Sequence, residues 1–294
     1  MKEDFIWSLE RQAIFMRCAR AYFHLRSQDD ATARQLSHLQ SLEAWTGNMI
    51  RKSLAQALAQ CASSGHLPGK EELQQIALKN MRESWMEYLN GAWKEQPETS
   101  TNIFELYYGN GKEYGTLRKL PQEATDNAKQ QILEAMDTFH FSPFIKSIAT
   151  LDSSAWYFPS RTDTFRIGEV NVQETPDFIY REKDGTMTTL FWTLGNEERA
   201  FLRIRQACHK MFAMEKYSLP ANQVNVSTIF LNDGGRGRSF IVTEGDLATA
   251  RQQIIKGAEA MLAKEKSSQA KDDYTPRPEE SCQNCNFKRL CLDN

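Results

Sequence analysis

The sequence predicts an α/β fold with a helical N-terminal part and a short cysteine-cluster tail. Three observations predict it. The first half repeats apolar residues at a helical spacing. The stretch after Trp156 alternates like strands and hairpins, and three of the six cysteines crowd into the last thirteen residues.

The elements follow in order. Residues 35–61 place Leu36, Leu39, Leu42, Trp45, Met49, Leu54 and Leu58 near a helical period, which predicts one long helix. Residues 63–69, SSGHLPG, form a break. A second helix is expected over 70–95, with Ile76, Met81, Trp85 and Leu89 on one side. Residues 97–115 contain Pro, Gly and Asn and predict a connection. Helix 122–140 follows, and SPFIKSIA continues as a short one.

From Trp156 the pattern changes. AWYFPS, TFRIGEVNVQ and DFIYRE each predict a strand. KDGT predicts a hairpin turn and MTTLFWTLG the returning strand. A basic helix is expected over 197–217, then strand VNVSTIFL, the tight turn NDGGRGR and strand SFIVT. A last helix spans 246–266 and is followed by a linker, SSQAKDDYTPRPEES, without a hydrophobic pattern. The expected organisation is a helical region over 1–150, an α/β core over 151–266, and a linker and metal-binding tail over 267–294. No internal repeat is visible.

Composition narrows the function classes. The formal net charge is −2, so the whole molecule is not an electrostatic nucleic-acid binder, and an anionic partner needs a local basic patch. No apolar run approaches the roughly 18 residues that span a bilayer. The N-terminal MKEDFIWSLERQ has acidic residues where a signal peptide needs a positive start. The expectation is a cytoplasmic protein with no membrane partner.

Six cysteines in a reducing cytoplasm do not suggest a disulfide framework. Cys282, Cys285 and Cys291 form a C-x2-C-x5-C pattern. A C-x2-C turn lets two thiolates point at one metal, and the third cysteine can reach the same centre. Three thiolates leave a tetrahedral or cubane site incomplete. Cys18, in MRCARAYFHLR, is the best candidate for the fourth ligand. Cys61 and Cys208 lie inside helical patterns and read as small buried residues. The centre is expected to be an iron–sulfur cluster, with zinc, and His24 as a possible ligand, as the alternative. Cross-linking residues 18 and 282 would be worth about 5–6 kcal/mol by the chain-entropy treatment of a disulfide, an upper bound for a metal bond.

These residues resemble a family. A cysteine in an N-terminal C-x-R-x-[YF] helix, here Cys18-Ala19-Arg20-Ala21-Tyr22, joined to a C-terminal C-x2-C-x5-C, is similar to the iron–sulfur nucleases of the PD-(D/E)XK superfamily. These include the AddB nuclease domain and RecB-like exonucleases of CRISPR loci. The resemblance covers nearly the whole chain. It implies a restriction-endonuclease-like core, a [4Fe–4S] cluster and a DNA substrate. The order of helical start, hairpin, helix, strands, helix and cysteine tail fits it.

In that family the hairpin supplies an Asp at the end of one strand and [DE]-x-Lys on the next. The carboxylates bind Mg²⁺ or Mn²⁺ at the scissile phosphate, and the lysine orients or activates water. Pro176-Asp177 looks like the first part. The returning strand, Leu190 to Gly195, looks like the family's I-D-Y-K-T-G, with Phe191 in the acid position and Thr193 in the lysine position. Phenylalanine cannot bind a hard cation and threonine cannot supply a positive charge. The family's upstream G-x-x-x-H meets Gly47 and Arg51, and its Q-x-x-x-Y meets Gln206 and Lys210. Asp177 alone reads as a catalytic remnant or an ordinary hairpin-end residue. Mg²⁺ or Mn²⁺ is therefore not expected, unless Glu174 and Asp177 work with a lysine such as Lys210. Glu169, Asp184, Glu197 and Glu198 are further acids nearby.

Candidate nucleic-acid contacts are Arg199 and Arg203, on one face of the basic helix with Arg205, Lys210 and Lys216 on others. Arg236 and Arg238 sit at a Gly-rich turn that lets backbone approach phosphate. Arg20, with Arg17 and Arg26, flanks Cys18, and Lys288 and Arg289 flank the tail. A solvated helix surface and a plain hairpin are the ordinary alternatives. The expected function is a catalytically degenerate nuclease-like protein in DNA repair, recombination or antiviral defence. It would bind DNA or scaffold a partner helicase or nuclease. Two alternatives stand beside it: an active metal-dependent exonuclease with a rearranged site, and a protein-interaction subunit without nucleic-acid contact.

Overall fold

The structure, a computed structural model, describes residues 5–27, 29–109, 114–116, 119–195, 198–267, 273–275 and 282–292. It is a mixed α/β protein of two compact units, each built from non-contiguous segments. One comprises Met1–Leu9, Ile50–Ile76 and Leu133–Ala260; the other comprises Glu10–Met49, Ala77–Ile132 and Met261–Asn294. Among the described residues no helix is long and apolar enough to cross a membrane.

The helical part runs α1 (Leu9–Arg17), α2 (Ala19–Arg26), α3 (Ala31–Ser37), α4 (Leu42–Ser64), α5 (Lys70–Leu89), α6 (Phe104–Tyr108), α7 (Gln122–Phe141) and α8 (Pro143–Ile148). The single helix expected over 35–61 is broken between α3 and α4. At the break Gln40 bridges to Ile103, and the Glu105 carboxylate accepts from the Leu42 N–H at 2.9 Å, capping α4. A carboxylate from 63 residues away made that start, which local periodicity does not report. The expected helix 70–95 stops at Leu89, and Gly91 turns the chain with φ of 76°. The connection 97–115 contains α6. Its Tyr107 and Tyr108 are buried, and Tyr107 contacts Trp93 edge-on at 5.8 Å.

The first unit holds two sheets. The larger has the order β2 (Trp156–Tyr157), β5 (Phe178–Arg181), β6 (Met187–Thr193), β7 (Val224–Phe230), β8 (Arg236–Phe240). β5 and β6 are the antiparallel hairpin expected around KDGT, with Phe178 opposite Leu190 and Arg181 opposite Met187. β6 then pairs in parallel with β7, and α9 (Arg199–Lys216) connects them. Every residue of β6 is buried. A central strand covered on both faces needs such an apolar run. Successive side chains point to opposite faces. Phe191 meets His209 of α9 at 5.4 Å, while Trp192 meets Phe139 of α7 at 6.3 Å.

Two strand expectations change. TFRIGEVNVQ is a hairpin, β3 (Phe165–Ile167) and β4 (Val170–Val172), turned at Gly168 with φ of 60°. With β1 (Ile6–Trp7), parallel to β4, it forms the second sheet. Arg236 and Arg238 belong to β8 rather than to the turn tip, which ends at Gly235. That glycine has φ of 66°, and a Cβ there would stand 2.8 Å from the Thr138 carbonyl. AWYFPS contributes only the two residues of β2, and SFIVT ends as a strand at Phe240.

In the second unit Trp45 donates from Nε1 to Ser84 Oγ at 2.8 Å, and Tyr88 stacks on Trp93. The last long helix, α10, spans Glu244–Ser267, and α11 (Lys288–Leu292) closes the tail. Much of the expected linker falls outside the described residues. Within it Tyr274 is fully buried and packs on Phe23 at 5.1 Å, an anchor that a search for hydrophobic pattern passes over.

Candidate functional site

The cysteine region lies in the second unit. Cys18 opens α2 with extended backbone, φ −159°. Its N–H bonds to the Ile14 carbonyl at 2.9 Å and its carbonyl accepts from the Tyr22 N–H at 3.2 Å, so its position is fixed from both sides. The Arg20 Nε donates to the Tyr274 carbonyl at 2.9 Å, and the Arg26 Nε pairs with Glu265 at 2.8 Å.

The tail is seated by contacts that involve no thiol. The Tyr108 hydroxyl donates to the Asn286 carbonyl at 2.6 Å, and Asn286 Nδ2 donates to the Leu39 carbonyl at 2.7 Å. Lys288 lies 4.2 Å from the centre of the Tyr108 ring. Arg289 donates to the Tyr107 hydroxyl at 2.8 Å and lies over Tyr114. Phe287 is buried and stacks on His24 at 5.7 Å. Lys288 and Arg289 thus face tyrosines.

Cys282 and Cys285 share a tight turn, with the Cys285 N–H bonded to the Cys282 carbonyl at 3.2 Å. Burial pushes the Cys285 thiol up. The Phe287 backbone N–H and Arg17 pull it back, and the neighbouring Cys18 and Cys282 thiols push it further up. Those last two influences put three of the four cysteines within electrostatic reach of one another. The fourth, Cys291, has its Sγ 3.8 Å from His24 Nε2, one face of α2 away from Cys18. Among the described residues no three His, Cys, Asp or Glu side chains stand together as a ready-made metal site. The donor set is soft, half-exposed except for Cys285, and supplied with an N–H toward sulfur, which fits a thiolate-held metal. Cys61 and Cys208 are buried in α4 and α9.

The hairpin pocket lies in the first unit. Asp177 immediately precedes β5, with its side chain 18% exposed. Its Oδ2 accepts from the Trp192 N–H at 3.1 Å, across the hairpin. Burial pushes its carboxyl up, opposed in order by Arg51, the Trp192 N–H, Arg161 and Arg205. Arg51 Nε stands 3.9 Å from Asp177 Oδ1. Arg205 Nε donates to Glu174 at 2.7 Å, and its guanidinium lies 5.6 Å over the Phe191 ring. Thr193 is buried and accepts from the Gly195 N–H at 3.1 Å.

His209 is 1% exposed, and neither ring nitrogen makes a hydrogen bond of standard geometry. Burial holds it well below the usual histidine range. The charges of Arg205 and Arg51 add to that, and only the nearby Thr175 backbone favours its protonation.

The alternative catalytic set does not assemble. Lys210 Nζ donates to the Val242 carbonyl at 3.1 Å, and Glu174 is engaged by Arg205. Asp184 holds its own turn through the Thr186 N–H at 2.9 Å. Glu197 lies outside the described residues. Arg199, Arg203 and Arg236 are exposed. Arg238 is exposed too but is paired with Asp233 at 2.6 Å.

The sequence flagged Asp177, Phe191, Thr193, Arg51 and Glu174 separately, and the structure gathers them into one pocket. It missed Arg161 and His209. Arg161 sits in a loop without a motif, and His209 lies on a basic helix where lysines and arginines drew attention. No protein-family model matches this sequence, and no curated protein matches it.

Proposed function

We propose that this chain is a catalytically degenerate, nuclease-like protein of the PD-(D/E)XK type that binds DNA, beside a partner helicase or nuclease, in repair, recombination or defence. The observation that carries the reading is the hairpin pocket. An acid remains at Asp177, but Phe191 and Thr193 occupy the acid and lysine positions, and Arg51 and Arg205 bring positive charge beside the carboxylates. A divalent cation needs uncompensated oxygen ligands. Two guanidiniums within the pocket oppose one. The strand order also supports the reading, with an antiparallel hairpin, a connecting helix and a parallel strand beside it.

Cys18, Cys282, Cys285 and Cys291 would hold an iron–sulfur cluster, [4Fe–4S] on the resemblance, or zinc. When bound, it would supply a cross-link between the N-terminal helices and the tail. DNA contacts fall to Arg199, Arg203, Arg236, Arg238 and Arg20.

Two measurements test the proposal together. Protein purified without oxygen is expected to be brown and to contain iron and sulfide; a colourless zinc protein would remove the cluster. DNA incubated with Mg²⁺ or Mn²⁺ is expected to stay intact. Cutting that Asp177→Ala abolishes would instead establish the active-exonuclease reading.

A further inference from the structure

The hairpin pocket carries more positive charge than its carboxylates need. Arg51 reaches it from α4 with a side chain 33% exposed. At 3.9 Å its Nε is beyond hydrogen-bond reach of Asp177, and among the described residues Arg51 makes no hydrogen bond. A guanidinium offers five N–H donors, and a half-buried one with no protein acceptor is an ordered cation waiting for an anion. Arg205 is already paired with Glu174. Arg161 adds a third guanidinium close enough to act on Asp177. Three guanidiniums face two carboxylates, an excess of one positive charge.

His209 lies behind Phe191 and within electrostatic reach of Arg51 and Arg205. It is fully buried with no standard hydrogen bond at either nitrogen. Buried polar atoms are nearly always satisfied, so an unbonded ring beside an unbonded guanidinium marks a place where something else is bound. The forked, planar donors of arginine match tetrahedral oxyanions better than any other side chain does.

We propose that this pocket is a phosphate-binding site, where a guanidinium set receives an anion in the place a hydrolytic hairpin would use for a divalent cation. The ligand class is a phosphoryl group, either on a nucleic-acid strand or as free pyrophosphate. The strand as its source rests on the DNA-binding reading; the anion site does not. Substitution of Asp177 discriminates by sign. In a cation site Asp177→Asn removes a ligand and weakens binding. In an anion site it removes a repelling charge and tightens binding, while the amide oxygen can still accept from Trp192.

The test uses the full chain with chelator present. Inorganic pyrophosphate is titrated calorimetrically, and a labelled oligonucleotide is bound in parallel with and without pyrophosphate as competitor. Arg51→Ala is expected to weaken pyrophosphate about tenfold or more, the loss of one or two charged hydrogen bonds. Arg51→Lys, which keeps the charge and loses the fork, is expected to fall between, and it serves if the alanine variant does not fold. Asp177→Asn is expected to tighten binding several-fold. Pyrophosphate that does not bind, or binding unchanged in both Arg51 variants, or weakened by Asp177→Asn, overturns the proposal. Pyrophosphate bound as expected with no oligonucleotide bound keeps the anion site and removes the DNA reading. Oligonucleotide binding indifferent to Arg51 and to pyrophosphate does the reverse.

Discussion

The cysteine tail and the hairpin pocket handle charge in opposite ways. At the tail, Cys18 and Cys282 crowd Cys285, with Arg17 as a nearby counter-charge. Lys288 and Arg289 are turned onto tyrosine rings instead. At the hairpin, Glu174 and Asp177 have guanidiniums supplied by the fold itself. A thiol set without internal compensation is suited to an external cation. A carboxylate set with built-in cations is not. The same chain thus retains the ligand chemistry for a soft metal while the ligand chemistry for a hard one has been neutralised from within.

The comparison breaks first at the tail. Cys282→Ala is expected to lose several kcal/mol of stability, up to about 5–6 kcal/mol, if the four thiols close the chain through a metal. Denaturant unfolding with metal content measured on the same samples checks it, and a variant as stable as the parent would contradict the cross-link.

The next effect is at the pocket and depends on pH. His209 is held well below its ordinary value of 6.5. Its contribution to stability is therefore full above that value and is lost as pH falls below it toward the folded-state value. The limiting slope is about 1.4 kcal/mol per pH unit. Asp177 acts in the opposite sense. Its raised carboxyl favours the fold below 3.8, and that contribution is lost as pH rises through the folded value. Unfolding free energies measured from pH 4 to 8 are expected to lose the first slope in His209→Leu and the second in Asp177→Asn.

A smaller effect separates seating from ligation. Tyr108→Phe removes the hydroxyl that bonds the Asn286 carbonyl and is expected to cost about 1 kcal/mol without changing metal content. A loss of metal from this variant would show that seat and ligands are one system. The smallest effect concerns DNA. Arg199→Ala and Arg203→Ala are each expected to reduce the salt slope of binding by about one, uniformly over sequences. An unchanged slope would return that face to solvent.

The hairpin β5–β6 was legible because KDGT between two apolar runs names both turn and strands. Helix α9 was legible from its length, and the six cysteines from their spacing. What was illegible depends on partners distant in sequence. The break before α4 needs Glu105, and the hairpin β3–β4 turns on one glycine inside an otherwise continuous strand pattern. The pocket was half legible. A motif search registers Phe191 and Thr193 as losses. It cannot register that Arg51 stands against Asp177 from another element, because that is a fact of tertiary distance.

The tail's anchors have one more consequence. Tyr108, Asn286, Lys288 and Arg289 seat the tail through hydrogen bonds and ring contacts, none of which passes through sulfur. In zinc fingers the metal does the gathering and the fold follows it. Here the order of assembly is reversed, because the polypeptide can dock its own end and present the thiols as a finished receptacle. Maturation then becomes a delivery problem rather than a folding problem, and its speed is set by how readily a donor reaches Cys18, Cys282 and Cys291, which remain partly open to solvent.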